Sequence, residues 1–301
     1  MIYKKRTQSK ELTILKSLDN RMELPTNYKQ NFLNLLKGYE GEVKFDSLTE
    51  KLQCDCLILN DLLFNTNNTT FQIDSLMITL KTLYLFEVKN FEGDYYYEND
   101  KFFKRNNYEI LNPLHQLSRC KSLFSQLLYK QKIDFFIQAN VVFINPEFML
   151  YQSPKGQPMI FPPQINRYLS KFNSISSKLN KHHKRIADEL ISLQTTENPY
   201  NNLPPYEYRH LRKGIICPKC NSFSIVHEKI QSICEECGHK EKTSTAVLRN
   251  VNELKLHFPE EKITTPIIYD WCNHQISERK IRTTLEKNYK KKGQKRWVYF
   301  E

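Results

Sequence analysis

Residues 71–90 constrain this chain more than any other stretch. They read Phe-Gln-Ile-Asp-Ser-Leu-Met-Ile-Thr-Leu-Lys-Thr-Leu-Tyr-Leu-Phe-Glu-Val-Lys-Asn, two apolar, β-prone runs joined by a polar turn around Lys81 and Thr82. Strand alternation puts Leu83, Leu85, Glu87 and Lys89 on one face, and Asp74 on the face of Leu76 and Ile78. Paired as a hairpin, the runs bring Asp74 beside Glu87, with Lys89 one step further along. Two carboxylates and an ammonium at the end of an apolar sheet face are costly to desolvate. A bound divalent cation would remove much of that cost.

The order Asp74, then Glu87-Val88-Lys89, resembles the core of the PD-(D/E)xK nuclease superfamily. Gly41-Glu42 lies upstream on a predicted helix, and Gln72-Ile73-Asp74 opens the core. Phe86 to Asn90, Gly93, Asn112-Pro113 and Gln116 follow. Together these residues resemble the nuclease-related domain (NERD) family over roughly residues 35–145. The resemblance implies a restriction-endonuclease-like core and a metal-dependent phosphodiesterase acting on nucleic acid, with DNA favoured. It further implies that Asp74, Glu87 and the main-chain carbonyl of Val88 hold Mg²⁺ or Mn²⁺ through hard oxygen ligands. Lys89 would orient the attacking water or offset transition-state charge. Glu42 would complete the metal shell or hold a second ion, and Gln116 would fix water or substrate.

The formal net charge of +12 favours a polyanionic partner, because Lys and Arg near phosphates release condensed counterions. No apolar run approaches the ~20 residues needed to span a bilayer. The basic N-terminus lacks a following signal-peptide core, so the expectation is a cytoplasmic protein. Of eight cysteines, four form two Cys-x-x-Cys pairs. Cys54, Cys56, Cys120 and Cys272 read as free packing thiols, and His182, His183, His227 and His239 as surface residues.

Along the chain, residues 1–26 read as a polar N-terminal extension. The nuclease-like core occupies 27–150, opening with a helix over 27–52 that Gly38 and Gly41 weaken or break. Strands are expected over 57–64 and 139–144, with an aromatic hairpin over 95–104 turning at Asn99-Asp100. Its rings are packing residues, one or two of which could stack on a nucleotide base. Asn112-Pro113 starts a helix. Residues 151–205 comprise a proline-containing loop, one amphipathic helix over 169–193 with Ile175 on its apolar stripe, and a linker over 198–205. The fold class is therefore α/β, with a mixed central sheet flanked by helices.

Cys217, Cys220, Cys234 and Cys237 have the spacing of two knuckles presenting four thiolates to one ion, which reads as a structural zinc ribbon over 206–245. Residues 246–301 resemble a winged helix-turn-helix, with helices over 264–273 and 277–289 and a basic, strand-like ending. Arg279, Lys280, Arg282, Lys287, Lys290, Lys291, Lys292, Lys295 and Arg296 are its candidate nucleic-acid contacts. Three other readings stay open: a non-catalytic DNA-binding or regulatory protein on a nuclease scaffold, an RNA-directed nuclease, and an assembly factor whose ribbon contacts a protein.

Overall fold

Strands that are apolar on both faces need helices on both faces, and the central strands here are of that kind. The structure is a computed structural model that describes residues 1–174, 178–195, 202–228, 230–294 and 297–301. It divides into two units: residues 1–9 with 33–201, and residues 10–32 with 202–301.

The first unit begins with β1 (Ile2–Lys4). Helix α1 (Lys10–Arg21) belongs to the second unit, and α2 (Thr26–Thr49) contributes residues 33–49 to the first. There follow β2 (Leu57–Thr66), β3 (Thr69–Ile78), β4 (Thr82–Lys89), β5 (Gly93–Glu98), β6 (Lys101–Lys104), β7 (Glu109–Ile110) and α3 (Pro113–Lys130). The unit continues through β8 (Phe136–Phe143), β9 (Phe148–Tyr151), β10 (Met159–Ile160), α4 (Ile165–Asn173) and α5 (Lys181–Ser192). Six strands form a mixed sheet in the order β1-β2-β3-β4-β8-β10. Pairings β2–β3 and β3–β4 are antiparallel; β1–β2, β4–β8 and β8–β10 are parallel.

Phe45 of α2 and Ile165, Leu169 and Phe172 of α4 pack against Ile58, Met77, Phe86 and Val142 on one face. Leu117, Phe124 and Leu127 of α3 and Ile186 and Leu190 of α5 cover Leu59, Leu76, Leu85 and Val141 on the other. A second sheet, β7-β6-β5-β9, adds Tyr95, Phe102, Phe148 and Leu150 to that latter core. Its hairpin turns at Asn99-Asp100, both at positive φ, as the sequence predicts. Asn112 caps α3 by accepting from Leu114 N, and its amide donates to Asp100 O, so this Asn-Pro pair ties the hairpin to the helix.

Several expectations are corrected. Helix α2 runs unbroken through Gly38 and Gly41. The single helix expected over 169–193 is two, because Ser174 ends α4 and the Asn180 side chain caps α5 by accepting from His182 N. Ile175 and residues 198–201 of the expected linker lie outside the described residues. His183 is buried, its ring joining Asn180 to the carbonyl of Leu80. Residues 1–26, read as a polar N-terminal extension, carry β1 and α1.

The second unit contains α1 and the first turns of α2. It continues through β11 (Ile225–Glu228), β12 (Gln231–Cys234), β13 (Lys240–Lys242), α6 (Thr243–His257), α7 (Thr265–Trp271), α8 (Glu278–Asn288), β14 (Lys291–Lys292) and β15 (Tyr299–Phe300). Strands β11-β12-β13 form an antiparallel sheet at the cysteine knuckles. Ile215 and Ile216 are buried non-strand residues. Helix α6 is an addition to the predicted helix pair. Ser277 caps α8 by accepting from Lys280 N. Ile268, Trp271, Ile276, Ile281 and Leu285 are buried, as the apolar spacing requires. Strands β14 and β15 pair antiparallel, and Ile263 bridges Phe300. Among the described residues, no helix is long and apolar enough to cross a membrane.

Candidate active site

The period-2 alternation of β2 and β3 breaks at one place. Leu59 and Leu62, three residues apart, reach the same core, and so do Ile73 and Leu76. Between them lie Asp61, at φ 57°, and Asp74, positions that the β2–β3 ladder skips. The simple expectation that Asp74 follows the face of Leu76 and Ile78 is therefore modified. Its carboxylate turns to the main chain of β4, where Oδ2 accepts from Val88 N at 2.8 Å.

The β3–β4 ladder ends at Ser75–Phe86, so Asp74 sits where the next rung, to Glu87, would fall. Peptide groups on a strand alternate between neighbours. Lys89 O serves β8 through Ile144 N, so Val88 presents its peptide groups toward β3, beside Asp74. Glu87 and Lys89 share a face and pair directly, Lys89 Nζ to Glu87 Oε1 at 2.7 Å.

The electrostatics follow from this crowding. Burial pushes the Asp74 carboxyl well above the usual carboxylate range; the negative charges of Glu87 and Glu42 add to the shift, and Lys89 and the Val88 N–H oppose it. Burial also drives Glu42 up to about 7, against Arg6 and with the help of Asp61, Asp46 and Glu87. Lys89 is held above its ordinary value although burial works against its charge, because Glu87 and Asp74 face it.

Glu42 reaches this cluster because α2 passes close to the end of β4. A Cβ on Gly41 would lie 2.5 Å from Asn90 Cβ, and the Asn90 amide donates to Lys37 O at 2.8 Å. The absent side chain at 41 thus allows the contact that sets Glu42 in place. Arg6, just after β1, forks across Asp46 and Glu42 and donates to the main-chain oxygen of Asp74. The sequence reading missed both Arg6 and Asp46. The i, i+4 spacing of Glu42 and Asp46 was a usable signal for one helix face. Nothing local marks Arg6.

Gln116 is half-buried on α3 and, among the described residues, bonds none of these carboxylates. One turn on, the Cys120 thiol lies 3.2 Å from Gln72 O. Burial raises that thiol, and the charges of Glu87 and Asp74 contribute, so this face of α3 borders the cluster. Cys56, Cys120 and Cys272 are buried and Cys54 half-buried, in keeping with packing roles.

In the second unit, the sulfurs of Cys217, Cys220, Cys234 and Cys237 all lie within 4.8 Å of one another. The 217–237 and 220–234 separations are 3.6 and 3.5 Å. A tetrahedral zinc with ~2.3 Å bonds to sulfur places its ligands about 3.8 Å apart, so this donor set fits that ion. Burial opposes ionisation of Cys217, yet the main-chain N–H groups of Cys220 and Lys219 help bring it down to about 7. Among the described residues this is the one group of three or more His, Cys, Asp or Glu ligands so closely gathered. Glu42, Asp74 and Glu87 do not close to that distance as a trio.

Of the candidate nucleic-acid contacts, Arg279, Arg282, Lys287, Lys290, Lys291 and Lys292 are exposed and Lys280 is half-buried. Lys291 lies 3.7 Å from Glu286. Lys295 and Arg296 lie outside the described residues.

The first unit is thus a mixed sheet between helices, with two carboxylates and a lysine gathered where β3 and β4 part. Residues 37–144 match the family model of the nuclease-related domain, NERD. No curated protein and no solved structure matches the chain.

Proposed function

We propose that this protein is a divalent-metal-dependent phosphodiesterase that cleaves nucleic acid, with DNA as the favoured substrate. The observation that carries the reading is the junction of β3 and β4, where Asp74, Glu87 and Lys89 meet beside the Val88 peptide. The donors fit Mg²⁺ or Mn²⁺: they are hard oxygens, and their mutual repulsion under burial is what a divalent ion relieves. Asp74, Glu87 and the Val88 carbonyl would hold it, and when bound it would acidify water and stabilise charge on the scissile phosphate. Lys89, already paired with Glu87, donates toward the phosphate or the attacking water. Gln116 borders this space from α3 and positions water or substrate. Glu42 is charge-compensated by Arg6.

The second unit grips the substrate in this reading. Its order of α6, the Ile263 bridge, α7, α8 and the β14–β15 hairpin supports a winged-helix assignment, with the exposed arginines of α8 at the nucleic acid. The cysteine cluster holds zinc structurally, since four thiolates leave no open position.

The test is nicking of supercoiled plasmid, with matched RNA in parallel, in Mg²⁺, Mn²⁺ or chelator. Wild type is expected to cut only with metal. Glu87→Gln should abolish cutting, and Lys89→Met should slow it by about 10²-fold. Metal-independent cutting, or Glu87→Gln at wild-type speed, overturns the assignment. One observation favours a second reading, a non-cleaving nucleic-acid binder: Glu87 and Glu42 already have internal cationic partners in Lys89 and Arg6. Tight, salt-sensitive binding without nicking would select it.

A further inference from the structure

Arg6 lies outside the matched domain, yet its side chain is only 3% exposed and, among the described residues, its side-chain hydrogen bonds all go to the acidic cluster. Nε and Nη2 each lie 2.9 Å from an oxygen of Asp46, a bidentate grip. Nη1 lies 2.5 Å from Glu42 Oε2, and Nη2 is 2.7 Å from Asp74 O. The chain holds it there deliberately. Strand β1 pairs with β2, and Lys4 Nζ donates to the carbonyls of Asn60 and Asp61 at 2.7 and 2.6 Å.

Resting on the nuclease reading above, we propose that Arg6 is a positioning residue that fixes the site at one divalent ion. Its guanidinium takes the place a second ion would occupy beside Glu42 and Asp46. It also pins the Asp74 main chain at the fork. The charge balance agrees. Glu42, Asp46, Asp61, Asp74 and Glu87 bring five negative charges when ionised, and Lys4, Arg6 and Lys89 bring three positive ones. The remainder is what one divalent cation cancels. A guanidinium suits this duty because it cannot lose its proton and its planar fork matches two carboxylates at once. Glu42 is thereby kept from serving as a metal ligand and is left to orient the backbone and solvent around Asp74.

Mn²⁺ binding to the full chain tests this, read by titration calorimetry and by the electron paramagnetic resonance signal of free Mn²⁺. Being hard, Mn²⁺ prefers this oxygen site to the thiolate cluster. Wild type is expected to take one Mn²⁺, lost in Glu87→Gln. Arg6→Met should take two, and Arg6→Met with Glu42→Gln should return to one. If Arg6→Met fails to fold, Arg6→Lys replaces it: a lone ammonium cannot fork between Glu42 and Asp46, so a second, weaker Mn²⁺ should enter. A single site of unchanged affinity in the folded Arg6 variant overturns the role of Arg6 alone. Absence of any Glu87-dependent Mn²⁺ in wild type overturns the metal reading, and the role of Arg6 with it.

Discussion

At position 41, the smallest side chain decides where an acid can stand. A methyl group there would press on Asn90 Cβ, whose neighbours in β4 cannot retreat, so α2 would have to shift. Gly41→Ala is expected to cost about 1–3 kcal/mol in urea unfolding and to slow nicking by 10-fold or more, since small misplacements near a reacting centre are costly. Adding Asn90→Ala should recover much of the stability. Unchanged melting of Gly41→Ala would contradict the contact. The Gly-Glu pair and Asn90 were legible in the sequence as parts of a family pattern, but their mutual fit was not, because it joins residues 49 apart. Asp74, Glu87 and Lys89 were legible for a simpler reason: charges break an otherwise apolar period-2 run. What alternation could not foresee is the skipped rung at Asp61 and Asp74, which turns the Asp74 carboxylate along the sheet toward Val88 N. Arg6 was hidden because a three-residue strand carries too little pattern to announce itself.

Among elements, α1 is held to α6 by a buried ion pair. Arg21 donates through Nε to Glu253 Oε1 at 2.9 Å and through Nη2 to Oε2 at 2.6 Å, and stacks its guanidinium 4.2 Å from the Trp271 ring. Arg21→Met should destabilise this unit by roughly 3–5 kcal/mol, because Glu253 would stay buried without its partner. Arg21→Met with Glu253→Gln should recover part of that loss in urea melts; a single variant as stable as wild type would refute the argument. Beside this pair, His257 Nε2 meets Ser17 Oγ at 2.7 Å, while its Nδ1 is buried without a partner among the described residues. Burial lowers this imidazole to about 4, against the pull of Glu253. The unfolded chain binds the proton from about pH 6.5, so stability is full above that value and declines as pH falls toward 4, by up to about 3 kcal/mol. Thermal melts from pH 7.5 to 4 should show this slope, and His257→Gln should flatten it. Leu12, Leu15 and Leu18 give α1 its apolar side, but no reading of that segment alone names a partner so far along the chain. The division of α4 from α5 was hidden for the opposite reason: apolar spacing continues across the gap, and only Asn180 marks the new start.

For the molecule as a whole, metal dependence should separate by unit. Chelation strong enough to strip zinc is expected to unfold β11–β13, where short strands and two knuckles offer little apolar core, and to lower nucleic-acid affinity. Circular dichroism and salt-dependent binding before and after chelation would read this, with Glu87-dependent Mn²⁺ uptake preserved after the chelator is removed. No change in either signal would mean the cysteines hold nothing that matters to the fold. The mixed sheet with flanking helices was readable from alternating apolar runs, whereas the assignment of residues 10–32 to the later unit was not, since adjacency in sequence says nothing about it. That assignment bears on how the protein is made. Arg21 leaves the ribosome 232 residues ahead of Glu253. At ~5–20 residues per second its first helix waits some ~10–50 s before the acid that neutralises it exists. Until then a hydrophobic stripe and a bare guanidinium sit in the open, so α1 is exposed to proteases and chaperones throughout that interval.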